Sequence, residues 1–190
     1  MYDAQLAYYL AVLCDKSYKE SSFEVNNIQV KVLADEARTV IVFRGTEAYD
    51  LRDIQTDISV KMKDGMHEGF LKAWKAIEPK LLEYFAEINV GKDVPLYFTG
   101  HSMGGALAAL AAVHLNGRGF NLQAVYTYGA PRVSSAKLDS LLPCPVYRIV
   151  NAHDLVPRVP LMLMKYRHIG ELHYMTKSGR MIINLSLIHI

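Results

Sequence analysis

The chain has 190 residues, of which 51% are hydrophobic and 21% charged, with 12 glycines and 7 prolines. This balance excludes a disordered tail, a collagen-like repeat and a low-complexity linker, since each is poor in apolar residues or overloaded with Gly and Pro. Its net charge of +2, with 21 basic against 19 acidic residues, is too even for an electrostatic nucleic-acid binder.

A chain of this length buries roughly 70% of the surface its unfolded form exposes, so residues 1–190 read as a single domain. The first ten residues, MYDAQLAYYL, carry Asp3 and no basic stretch. They do not read as a signal peptide, so the expectation is a cytoplasmic protein, or a secreted one if a leader has been removed. Residues 3–14 have a helical apolar period. Residues 28–34 alternate as a strand, and 39–43 (TVIVF) form a continuous apolar run, as in a central strand. Residues 47–66 mix Tyr49, Leu51, Ile54, Ile58 and Met62 with Asp50, Arg52, Asp53 and Asp57. That is amphipathic enough for a lid making transient contact with a lipid interface, and it reads equally as a solvated loop. Residues 70–88 form an amphipathic helix in which Pro79 marks a kink or break.

Residues 94–117 carry no charge and are long enough to span a bilayer. Pro95, Gly100, His101, Ser102, Gly104 and Gly105 interrupt them, so they read as a strand at 96–99, a tight turn and a buried helix at 103–115. Two more apolar strands fall at 124–128 and 146–150. A short helix capped by Ser135 covers 135–142, and the tail pairs as a hairpin around Ser178-Gly179. Strand–helix alternation predicts a three-layer α/β fold with a mostly parallel central sheet flanked by helices. Cys14 and Cys144 lack metal-site spacing and read as two buried thiols.

The strongest local signal is Gly100-His101-Ser102-Met103-Gly104. A strand ends at its first residue and an Ala-rich helix begins at its fourth, the strand–turn–helix setting that lifts a serine hydroxyl above a sheet. Flanking glycines leave room for the crossing backbones. The helix N-terminus directs N–H groups and a positive dipole at a developing oxyanion, with Met103 supplying one donor.

Ser102 requires a base and an orienting acid, in the chain order serine, acid, histidine. His67 and His101 precede the serine, His114 lies in the buried helix, and His153 adjoins the acid candidate. His168, His173 and His189 remain. Asp154 follows the strand 146–150 and precedes Pro157, a suitable place for the acid. Asp139 falls inside a short helix, and Glu171 is too near the remaining histidines. A lone histidine at 189 in an apolar tail is costly without a partner. A metal site from His168, Glu171 and His173 is the weaker alternative, because on a strand His168 would face away from the other two.

Over nearly its whole length the chain resembles the class 3 (fungal-type) triacylglycerol lipases, of α/β-hydrolase fold. The matching blocks are Val42-Phe43-Arg44-Gly45-Thr46, His67-Glu68-Gly69-Phe70, Phe98 to Gly105, Tyr128-Gly129-Ala130-Pro131-Arg132-Val133, Asp154 to Pro160, and Tyr166-x-His168-x-Gly170. The resemblance implies Ser102 as nucleophile, Asp154 as triad acid, and the backbone N–H groups of Thr46 and Met103 as oxyanion donors. It assigns His168 to a structural motif and favours His189 over His173 as the base. The chain departs from the family at Ile188, where an acidic residue is usual, at Ile54 for Trp, and at Ser134 for Gly. The resemblance implies a serine carboxylic-ester hydrolase acting on a lipid or small ester, with no cofactor or metal. The competing class is a binding protein on a degenerate lipase fold, and within the hydrolases a phospholipase or thioesterase is the alternative.

Overall fold

The computed structural model describes residues 1–45, 61–135, 142, 144–160 and 165–183. Helix α1 (Ala4–Lys16) starts where Asp3 Oδ1 accepts from the N–H groups of Gln5 (2.9 Å) and Leu6 (3.0 Å). Such a cap is worth about 1 kcal/mol. Ala7, Leu10, Leu13 and Cys14 form its buried stripe. Strands β1 (Phe23–Val25), β2 (Ile28–Ala34) and β3 (Thr39–Phe43) follow, then a small ladder of β4 (Met62–Lys63) and β5 (Met66–His67).

Helix α2 (Glu68–Glu87) runs through Pro79, so the break that the sequence allowed there does not occur. Proline removes one i→i−4 bond, to the carbonyl of Lys75. Lys75 is exposed, while Trp74, Ile77, Leu81 and Phe85 anchor the helix on the core side.

Strand β6 (Leu96–His101), helix α3 (Met103–Leu115), β7 (Leu122–Tyr128), β8 (Val146–Asn151), a 3-10 turn (Val156–Arg158), and the hairpin β9 (Glu171–Met175) and β10 (Met181–Ile183) complete the order. The helix expected at 135–142 lies largely outside the described residues, as does the candidate lid at 47–66, of which only 61–66 are described.

One eight-stranded sheet has the order β1-β2-β3-β6-β7-β8-β9-β10. The five inner strands β3, β6, β7, β8 and β9 are parallel, and antiparallel hairpins close both edges. Val40 and Val42 pack with Leu10 and Tyr126 in the α1 layer, while Ile41 and Phe43 pack with Trp74, Phe98 and Leu107 in the α2/α3 layer. Burial on both faces is why β3 reads as an unbroken apolar run. Cys14 and Cys144 are buried free thiols. Burial pushes their pKa values up to about 12 and about 11, so neither is a thiolate nucleophile near neutrality.

Candidate active site

The bend between β6 and α3 carries Ser102 at φ 54°, ψ −128°. A non-glycine residue in that region costs about 1–3 kcal/mol and persists only where its surroundings impose it. At this bend several contacts impose it. Ser102 N–H donates to the Tyr128 carbonyl at the end of β7 (2.9 Å), and the Ser102 carbonyl accepts from Gly105 N–H (3.0 Å). A Cβ at Gly100 would collide with the Gly104 backbone, and one at Gly104 with the Phe43 carbonyl. Only glycine lets the strand, the first turn of α3 and the end of β3 approach so closely.

Met103 is the first residue of α3, so its N–H has no helical carbonyl four residues back. Gly45, the last described residue before Thr46, packs on the same bend: a Cβ there would meet the His101 carbonyl at 2.5 Å. Thr46 itself lies outside the described residues.

Asp154 occupies the loop after β8. Its N–H donates to the Asn151 carbonyl (3.0 Å), and its Oδ1 accepts from Val156 N–H (2.9 Å). At the end of β7, Gly129 (φ 58°) leaves the space for the other carboxyl oxygen, because a Cβ there would fall on Asp154 Oδ2. Ser102, Gly129 and Asp154 thus follow the carboxyl ends of three successive parallel strands, where open α/β sheets place ligands. Buried Arg132 holds the acid loop from below, donating to the carbonyls of Arg158 and Pro160.

The Ser102 hydroxyl is buried, at 1% exposure for the residue, and has no hydrogen-bond partner among the described residues.

The histidines separate by environment. His168 Nε2 donates to the Pro157 carbonyl (2.8 Å), so it braces the acid loop. Burial, with Arg148 and Arg132 nearby, holds its pKa well below the ordinary value and keeps it neutral. His173 is fully buried, with its ring 4.0 Å from the Tyr2 ring and edge-on to Tyr147. It shares a face with Glu171, at 3.4 Å, as its strand spacing predicted. The alternative that His173 serves as the base is corrected: it lies inside the α1 layer. His67 caps α2 and His114 stacks on Trp74. His153 is exposed. His189 lies outside the described residues.

Sequence reasoning missed one pair. Tyr18 places its hydroxyl 3.2 Å from His101 Nδ1, bridging 83 positions in the chain. The spacing carries no local signal for this contact.

A strained serine at a strand–helix bend, with an acid two strands along on a mostly parallel sheet, is the arrangement of the α/β-hydrolase fold. Residues 40–164 match the family described as lipase (class 3), and the chain belongs to it. The secreted mono- and diacylglycerol lipase A of Penicillium cyclopium is 26% identical over 184 residues, covering 92% of this chain and 60% of the relative. The secreted mono- and diacylglycerol lipase 1 of Fusarium solani is 33% identical over 151 residues, covering 72% and 44%. The solved triacylglyceride lipase of Rhizomucor miehei has a TM-score of 0.77 at 24% identity, over 96% of this chain and 84% of that one. The chain therefore spans less than two thirds of the length of these curated relatives.

Proposed function

We propose that the protein is a serine carboxylic-ester hydrolase cleaving acylglycerols or related fatty-acyl esters through an acyl-enzyme. The observation that carries this reading is the Ser102 bend, strained at φ 54° above the start of α3 with the Asp154 loop two strands away. Structural need alone does not put a buried hydroxyl with no partner among the described residues in a disfavoured backbone region. Membership of the class 3 lipases and the acylglycerol names of the relatives support the substrate class.

In this mechanism Ser102 Oγ attacks the ester carbonyl carbon as its proton passes to His189. Asp154 orients the imidazole and stabilises its positive charge. The N–H groups of Thr46 and Met103 receive the oxyanion. One such donor is typically worth about 100- to 1000-fold in rate. The alcohol leaves with the proton from His189, and water then releases the fatty acid by the same route. No step calls for a metal or cofactor. Residues 1–190 act as one domain, a reading supported by the single sheet that joins both ends of the described chain. The relatives' names favour secretion over the cytoplasmic alternative.

A fluorophosphonate probe should label Ser102 in the wild type and not in Ser102→Ala. A substrate series from acetate esters to emulsified triolein should give rates that persist at long chain length. Turnover confined to acetate would replace the lipase reading with a short-chain esterase. Absence of both labelling and turnover would favour the degenerate binding protein, a reading that gains its weight from the 1% exposure of Ser102.

A further inference from the structure

His101 has no role in the mechanism above, yet its surroundings are built. The residue is half-buried on the α1 side of the sheet, at the end of β6, immediately before the nucleophile. Its Nδ1 meets the Tyr18 hydroxyl at 3.2 Å. Its other nitrogen, Nε2, lies 3.7 Å from the point where a Gly129 side chain would begin, and Asp154 Oδ2 lies beside that same point, closer than van der Waals contact would allow a carbon there. The ring and the acid thus converge on one glycine. Gly45 closes the third side: a Cβ there would lie 2.7 Å from the Tyr18 hydroxyl and 2.5 Å from the His101 carbonyl.

We propose that His101 is a positioning residue for the triad acid: Tyr18 fixes its ring with Nε2–H turned toward Asp154, and that dipole steadies the carboxylate after β8. Tautomer chemistry supplies the reason. A neutral imidazole has one donor and one acceptor nitrogen. If the Tyr18 O–H donates to Nδ1, the ring proton sits on Nε2, the nitrogen nearer the acid. Oδ1 is already held by Val156 N–H, so the ring acts on the side of Oδ2. Burial lowers the His101 pKa and the Asp154 charge opposes that shift, so the ring is a neutral dipole at pH 7 that feels the carboxylate. Among the described residues, the titratable groups around it are Tyr18 after α1, Tyr128 beside it on β7, and Asp154 after β8, while Arg44 beyond β3 lies 5.1 Å from the Tyr18 ring centre.

This inference deepens the proposed function and depends on it for its kinetic test, so a second test is independent of turnover. Long-range nitrogen–proton NMR of the ring should show Nε2–H in the wild type and a mixed tautomer in Tyr18→Phe. The His101 titration should move to lower pH in Asp154→Asn, which removes the opposing charge. An Nδ1–H ring, or a titration unmoved in Asp154→Asn, overturns the proposal whether or not the protein hydrolyses esters.

In the kinetic test, His101→Leu should lower kcat about tenfold with little change in KM, in the range seen when outer-shell partners of functional groups are removed. The acid limb of kcat/KM should move to higher pH, since loss of the dipole strengthens the carboxylate's pull on the base. His101→Gln, which keeps a donor near the Nε2 position, should restore both. A His101→Leu variant with wild-type kcat and acid limb overturns the proposal. So does a loss of kcat that tracks the fall in melting temperature with the acid limb unmoved. If the wild type hydrolyses no ester while the NMR results hold, the proposed function fails and the positioning pair stands.

Discussion

His173 stands in the same row of the sheet as His101, three strands away. The register runs from His101 to Tyr128, from Tyr128 to Ile149, and from Ile149 to His173. With strands about 4.8 Å apart, the row separates the two residues by about 14 Å. An imidazole side chain does not cross that gap, so His173 cannot serve Ser102. His173→Ala should keep ester turnover and lose about 2–4 kcal/mol of stability through the vacated space between Tyr2 and Tyr147. His189→Ala should abolish turnover with its melting temperature unchanged. Turnover lost in the first variant and kept in the second would reverse the assignment.

Ser102→Ala should remove esterase activity and leave the melting temperature level or slightly raised. Alanine suffers at φ 54° as serine does, but it no longer buries a hydroxyl that lacks a partner among the described residues. Hydrolysis of p-nitrophenyl esters and calorimetry test the two halves. Residual activity would move the nucleophile elsewhere.

Glycine substitutions should sort by what surrounds each position. Gly104→Ala drives a methyl into the Phe43 carbonyl, and backbone cannot step aside as a side chain can. A loss of about 2 kcal/mol or more, together with lost activity, is expected from denaturant unfolding and ester assays. Gly179→Ala meets open space and bears only its φ of 78°, about 1 kcal/mol. Equal losses at the two sites would contradict the packing described for the bend.

Acid should destabilise the protein through its buried histidines. His168 is held well below its ordinary pKa, and burial lowers His67, His101, His114 and His173 in the same direction. In the unfolded chain a histidine takes up its proton near pH 6.5. The folded chain takes it up only at lower pH. Between those values the unfolded state binds more protons, so stability rises with pH there and falls as pH drops from 7 toward 5. Each histidine adds at most about 1.4 kcal/mol per pH unit within its window. Melting temperatures at pH 7.5, 6.5 and 5.5 should fall in that order, and His168→Gln should flatten the decline. A melting temperature that rises on acidification would contradict the neutral His168–Pro157 bond.

The sequence alone determined the elements whose signals are local. Met103 to Leu115 reads as a buried helix because every face is apolar, and 39–43 as a central strand because both of its faces are buried. The serine bend was legible because its glycine–serine spacing and the flanking strand and helix are local, although Gly104 is required by the distant Phe43 carbonyl, and the place of Asp154 was legible because an acid after a strand end is a local pattern. Pro79 does not break its helix because Trp74, Ile77, Leu81 and Phe85 anchor the turns on either side of it in the core, which tertiary placement decides. The neutral brace at His168, the placing of His173 three strands from His101, and the Tyr18–His101 contact were decided only by the fold. Each depends on which strands lie side by side and in what register, and no short stretch of residues encodes that.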